Sequence, residues 1–459
     1  MMINRFKTDK TRRSEWAGVN RIWVNNVKAE LLIINARQIV TSRGGSNRPL
    51  RGGDLGRVDV IHNGAVAVSD GRIIAVGAKE EIESRVTITP RTKVVDATGQ
   101  IVLPGLVDAH THLVFGGSRE NELDLKLQGV PYLDILAQGG GILSTVRATR
   151  DASREELVRI GMQYAGQMLS QGTTTVEVKS GYGLTTADEL KQLEAIRDID
   201  NRQPLDLVPT FLGAHAFPDE YKARPDEFVR LLVDEMIPAV ATERLAQYCD
   251  VFCEQGVFSV EQSRRILTAA QKAGLKSKIH AEEIECLGGA ELAAELGAVS
   301  ADHLLMISAV GIRKMAAAGV IAVLLPATTF FLREDHYAPA RNMIEAGVPV
   351  ALGSDFNPGS CPNNNLGLVM IIACLYLRMT PAEVINAVTI NAAHAVGRAE
   401  SIGSLEEGKQ ADIVLFDAPN YQYLTYRFGT NLVNTVIKGG KVVVKQGDSR
   451  SLGKGKNEI

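Results

Sequence analysis

The chain has 459 residues, 45% of them hydrophobic and 22% charged, with a formal net charge of -3. This is long enough for more than one average domain and a large core, with the composition of an ordinary globular protein. The small net charge leaves no basic footprint for nucleic acid or an acidic membrane surface, and no apolar run is long enough to span a bilayer.

The first segment, from Met1, is polar and somewhat basic (Lys7, Lys10, Arg12, Arg13) and lacks the apolar core of a secretory signal. Asp9 and Glu15 interrupt the basic run, which argues against a transit peptide, so residues 1–28 are expected to be a disordered extension. From residue 29 to 102 the pattern is β. The stretch 31–35 reads as a strand, and runs 65–68 and 73–76 flank Asp70-Gly71, a strong hairpin signal. Residues 43–57, rich in Gly and Arg, read as a loop. The C-terminal end repeats the style, with a strand over 411–416 and a hairpin around Lys438-Gly439-Gly440. Segments 29–104 and 396–448 are therefore expected to build one small β-sandwich from both termini, with 449–459 as a tail.

The middle, 105–395, alternates strand and helix. Strands are expected at 101–113, 173–179, 207–214, 251–254, 277–281, 301–306, 320–325 and 348–354. Between them, Leu157, Ile160, Tyr164 and Met168 recur at helical spacing, Ser259 caps a helix ending at Gly274, and Thr380-Pro381 with Glu383 forms a capping box. Eight β-then-α units argue for an α/β fold, a (β/α)8 TIM barrel. A doubly wound open sheet is the alternative, but it wants a glycine fingerprint after its first strand, and none is present. Gly139-Gly140-Gly141 lacks the P-loop lysine and reads as a hinge or turn.

Active sites of such barrels lie at the C-terminal ends of the strands. His110 and His112 end strand one, spaced i, i+2 so that both rings face one way. His215 ends strand three, His280 strand five, His303 strand six and Asp355 strand eight; five of the eight histidines thus fall at strand ends. Packed core histidines would not favour one end of the barrel. His62, His336 and His394 lie elsewhere. Three imidazoles and a carboxylate make a sensible metal site, so His110, His112, His280 and Asp355 are the expected ligands of one transition metal, zinc or iron. A divalent metal lowers the pKa of bound water toward about 7, and Asp355 can accept its proton. Glu283, three residues past His280, reaches the substrate side as a proton shuttle, and His303 polarises a carbonyl or orients water. Glu282 is expected to point into solvent or a salt bridge. Glu254, ending strand four, is a candidate bridge to a second metal.

The five cysteines (Cys249, Cys253, Cys286, Cys361, Cys374) include no CxxC pair and read as buried reduced thiols of a cytoplasmic protein. A homodimer is the expected assembly on base rates alone.

With its PGLVDAHTH stretch over 104–112 and the His280, His303, Asp355 series, the chain resembles the amidohydrolase superfamily of metal-dependent barrels with a small β-sandwich. Within it, the more particular segments are 115–119 (FGGSR), 177–184 (EVKSGYGL), 211–215 (FLGAH), 280–283 (HAEE) and 353–360 (GSDFNPGS). The resemblance spans roughly residues 29–445, by where the motifs begin and end. It implies histidine degradation, with a five-membered cyclic amide bearing a carboxylate tail, 4-imidazolone-5-propanoate, opened by water to N-formimidoyl-L-glutamate. Arg119 would then grip the carboxylate. Tyr182, His215, Glu283, Asn357, Gly359 and Ser360 would complete substrate binding. Other readings are a guanine or cytosine deaminase, which has no tail for Arg119 to hold, and a scaffold that has lost its chemistry.

Overall fold

In a computed structural model of the protein, the described residues are 27–130, 134 and 139–446. The expected N-terminal extension, apart from residues 27 and 28, and the C-terminal tail lie outside them.

Eight parallel strands form the central sheet: β1 (Leu106–Asp108), β2 (Thr173–Lys179), β3 (Asp206–Ala214), β4 (Tyr248–Cys253), β5 (Lys276–Ala281), β6 (Ser300–His303), β7 (Ile321–Leu324) and β8 (Val350–Leu352). They pair in sequence order. Just beyond the ends of β8 and β1 the barrel is closed by a parallel bridge between Thr111 and Phe356 and by the Asp355 N–H donating to the His110 carbonyl at 2.9 Å. The helices between strands follow the sequence signals. Ser153 caps Arg154–Ser170, Ser259 and Gln262 form a capping box on Val260–Lys272, and Thr380 with Glu383 forms another on Pro381–Ala387. The helices bury their apolar stripes against the outward residues of the strands, such as Val176, Val178, Cys249, Val251, Ile279 and Ala281.

Side chains alternate along each strand, so the inward set is the other parity. It is unusually charged. Glu177 and Lys179 of β2, Asp250 of β4, Lys278 of β5 and Asp302 of β6 are all fully buried.

The expected strand 101–113 is two strands in two sheets. Ile101–Pro104 belongs to the second sheet, and the chain crosses into β1 at Gly105, where a Cβ would collide with the Thr174 side chain. That second sheet is built from both ends of the chain, in the order Lys441–Lys445, Val433–Lys438, Ile413–Phe416, Ile101–Pro104, Leu31–Val40, Val60–Ser69, Arg72–Ala78. It folds over on itself. Arg72 bridges to Gln410, and Ile73 and Val76 share one core cluster with Ile413 and Ile437. Both hairpins turn where glycine or Asp-Gly permits a left-handed backbone: Asp70 and Gly71 at φ 49° and 71°, Gly439 and Gly440 at 53° and 77°.

Cys249, Cys253 and Cys361 are buried as expected, but Cys286 is exposed on the turn after β5. Among the described residues, no helix is long and apolar enough to cross a membrane.

Candidate active site

The strand ends bring the histidines together. The His110 ring centroid lies 4.6 Å from that of His280, 5.4 Å from His112 and 5.5 Å from His303, and His112 stacks on His215 at 4.9 Å. Asp355 Oδ1 is 3.5 Å from both His110 Nε2 and His112 Nε2. Thr328 Oγ1 donates to the other Asp355 oxygen at 2.7 Å. Several of these residues sit in a left-handed backbone that non-glycine residues avoid: Glu282 at φ 51°, His303 at 75° and Asp355 at 52°. Such conformations persist where the surrounding structure over-determines them, and they cluster at functional sites.

Three groups of described residues, all sharing His110, offer ligand atoms within 4.8 Å of one another: His110, His112 and Asp355; His110, His280 and His303; and His110, Glu177 and Asp302. His303, expected to act on a carbonyl or water, thus also stands within donor range of the cluster. His110 Nε2 and His280 Nε2 are buried without a hydrogen-bond partner. Buried polar atoms are rarely left so, and unpartnered imidazole nitrogens beside a carboxylate fit a transition-metal ion. Burial, and after it neighbouring charges, holds His110, His112 and His303 well below the usual histidine range, so their lone pairs are available. Burial also opposes charge on His280, but Asp250 outweighs it and raises that pKa.

Beneath the histidines lies a layer that the linear sequence did not disclose. Asp302 Oδ2 is 2.6 Å from His110 Nδ1. Asp250 Oδ2 is 3.0 Å from His280 Nδ1, although the angle falls short of a hydrogen bond. Lys179 Nζ stands between them, 2.7 Å from Asp250 Oδ2, 3.4 Å from Asp302 Oδ2 and 2.8 Å from Glu177 Oε1. Burial works against this ammonium, but the three carboxylates more than offset it and its pKa is raised.

The cluster opens into a cavity of about 790 Å³. Glu283 stands at its edge, Oε1 3.6 Å from His303 Nδ1. Burial, then Asp355, pushes its pKa up to about 8, and burial pushes Asp355 up to about 6. Burial drives His215 down to about 3. Tyr182 and His215 line the same cavity, with ring centroids 5.3 Å apart.

Arg119, Asn357, Gly359 and Ser360 also line that cavity. Part of the Arg119 fork is already engaged within the chain. Its Nε and Nη2 donate to the two Glu122 oxygens at 3.0 and 2.7 Å. Glu122, three residues on, was the readable signal that sequence analysis passed over. Nη1 lies against Gly359, where a Cβ would overlap it. Asn357 braces the turn: its Oδ1 accepts the Gly359 and Ser360 N–H groups, each at 2.8 Å.

Two expectations about carboxylates are corrected. Glu282 is buried and points neither to solvent nor to a salt bridge; it accepts the N–H groups of Gly288 and Ala290 at 3.0 Å, capping the helix Gly289–Leu296. Glu254 spends both oxygens on backbone, accepting from Glu283, Ile284 and Glu285 at 3.1, 2.9 and 3.1 Å. It appears in none of the metal-capable groups among the described residues.

A parallel barrel with histidines and an aspartate at its strand ends is the frame of a metal-dependent hydrolase, and the chain belongs to the amidohydrolase family, whose model matches residues 101–443. A crystal structure of an adenosine deaminase from Xanthomonas campestris superposes with a TM-score of 0.64 at 22% identity, covering 92% of this chain and 94% of that one, a likeness of fold. Sequence relatives narrow the family to the imidazolonepropionases. The imidazolonepropionase of Alkaliphilus metalliredigens is 58% identical over 418 residues, 91% of this chain and 99% of its own length. That of Alkaliphilus oremlandii is 54% identical over 427 residues, 93% of this chain and 99% of its own.

Proposed function

We propose that the protein hydrolyses 4-imidazolone-5-propanoate, opening its cyclic amide to N-formimidoyl-L-glutamate in histidine degradation. One observation carries the reading: a single cavity is lined by the histidine–aspartate cluster and by an arginine fork. A substrate that satisfies both needs a hydrolysable centre and an anionic tail. A nucleobase supplies only the first. The relatives named above carry the same activity in their names.

His110, His112, His280 and Asp355 are the proposed holders of one zinc or iron ion, which when bound supplies Lewis acidity toward water and the ring carbonyl. The chain's own residues do the rest. Arg119 keeps its Nε edge on Glu122 and presents Nη1 and Nη2 to the tail carboxylate beside Gly359. Tyr182 and His215 flank the ring. Asp355 takes a proton from the attacking water. His303 donates toward the carbonyl oxygen as negative charge develops on it. Glu283 delivers a proton to the departing ring nitrogen as the C–N bond breaks. The new carboxylate and the formimidoyl nitrogen then leave as product.

The test is ring opening by the purified protein, followed as loss of the ring's ultraviolet absorbance, beside a chelated control and a guanine deamination assay. Metal-dependent turnover of the imidazolone alone is the expected result. Guanine turnover, or imidazolone turnover indifferent to chelation, would overturn the assignment.

A further inference from the structure

The interior of the barrel below the histidines holds five buried charges where other barrels of this architecture hold branched aliphatics. Buried ion clusters are seldom a net gain in stability over well-packed apolar residues. Their arrangement here is specific. Lys179 Nζ donates to Glu177 Oε1 and Asp250 Oδ2 and forms a longer ion pair, 3.4 Å, with Asp302 Oδ2. Two of those carboxylates face the Nδ1 atoms of different histidines, Asp302 that of His110 and Asp250 that of His280. Each is also pinned from its own side. Ser300 Oγ donates to Asp302 Oδ1 at 2.7 Å, and the Val251 N–H to Asp250 Oδ1 at 2.8 Å. Lys278, equally buried, forms an ion pair with Glu177 at 3.1 Å and lies over the Tyr248 ring; among the described residues it makes no ion pair with Asp250 or Asp302, although its charge is felt at Asp302.

We propose that Lys179 is a positioning residue that sets two metal-binding imidazoles at once. By holding Asp250 and Asp302 together, it keeps the Nδ1 of His280 and of His110 facing carboxylates and so turns both Nε2 lone pairs to the same centre. Carboxylates that take the far nitrogen of a ligating histidine fix its tautomer and orientation, and their loss typically costs about 10–100-fold in metal affinity. One lysine spanning two such carboxylates makes the two rings a single preorganised unit. The proposal rests on the metal reading above.

The experiment compares zinc affinity, by competition with a chelator, in the wild type, Lys179→Met and Lys278→Met, with circular dichroism to verify folding. Long-range ¹H–¹⁵N spectra of the histidine rings in the metal-free proteins report the tautomers. The expected result, read at alkaline pH where both rings are neutral, is Nδ1–H for His110 and His280 in the wild type. Lys179→Met should mix the tautomers and weaken zinc by about 10–100-fold. Lys278→Met, which deletes an equally buried charge that forms no ion pair with either aspartate, should stay within about threefold of wild type on the same reasoning. A folded Lys179→Met protein with wild-type tautomers and affinity overturns the proposal. If that variant does not fold, Lys179→Gln, which keeps neutral donors, carries the same comparison, and unchanged affinity overturns it equally. A wild type that binds no zinc sinks the metal reading and the proposal with it; a wild type and a Lys179 variant that bind equally well sink the proposal alone.

Discussion

Glu254 holds Glu283 by its backbone. Its Oε2 accepts the Glu283 N–H at 3.1 Å while Oε1 accepts that of Glu285, also at 3.1 Å. A carboxylate at the end of β4 thus fixes the turn that carries the acid from the end of β5. Successive N–H groups converging on one anion form a nest, with charge-assisted bonds roughly twice as strong as neutral ones.

Replacing Glu254 with glutamine keeps the shape but loses the charge and half the acceptors. The expected outcome is a fall in kcat of about tenfold and a stability loss of about 1–3 kcal/mol, from buried N–H groups left unpaired. Metal content should not change. Loss of stoichiometric metal on elemental analysis of Glu254→Gln would instead make Glu254 a ligand.

Glu283→Gln removes the proton donor and leaves the cluster intact. General acid catalysis contributes about 10²–10⁴-fold, so kcat should fall by that order with metal content unchanged. Steady-state kinetics beside metal analysis checks it, and near-normal turnover would reassign the acid.

Arg119→Ala should mainly raise KM, by about 10–100-fold, since hydrogen bonds to a charged group are worth about 1.5–3 kcal/mol. Arg119→Lys should recover little, because an ammonium cannot serve Glu122 and a substrate carboxylate in one plane. Gly359→Ala should move in the same direction, since its Cβ would displace the guanidinium. An unaltered KM in Arg119→Ala would remove the tail from this wall of the cavity.

Glu283 has a pKa pushed up from 4.5 to about 8 in the metal-free chain, by burial and then by Asp355. A raised carboxyl pKa favours the fold while the group is protonated. The contribution is whole below the ordinary glutamate pKa and is lost as pH rises through about 8. The metal-free wild type should therefore lose stability relative to Glu283→Gln between pH 5 and pH 9, at no more than about 1.4 kcal/mol per pH unit. Parallel denaturant curves of the two proteins across that range would contradict this.

Chelation should abolish turnover and lower Tm, and zinc or iron should restore both. A ligand at about a hundred times its Kd adds about 2.7 kcal/mol to stability. A Tm that does not respond to metal would place the ion outside the folded site.

Much of the architecture was legible because its signals are local. Strand and helix periods, the caps at Ser259 and Thr380, and the Asp70-Gly71 turn depend on residues a few positions apart; the caps and the turn stand as read, while strands expected at 301–306 and 348–354 are shorter, Ser300–His303 and Val350–Leu352. The i, i+2 spacing of His110 and His112 places both rings in the cluster, and strand-end positions do the same for His280, His303 and Asp355. Where the reading missed, the cause was spatial. The strand expected at 101–113 divides at Gly105, where the chain passes from one sheet to the other and the Thr174 side chain leaves no room for a Cβ. Lys179 meets Asp250 across 71 positions, and His110 meets Asp302 across 192. Barrel closure and strand register alone set those pairings. The sequence by itself determined which chemical groups stand at the mouth of the barrel; only the tertiary structure decided which carboxylate each lysine, arginine and imidazole would face, because charge pairing in a buried interior follows distance in space and not along the chain.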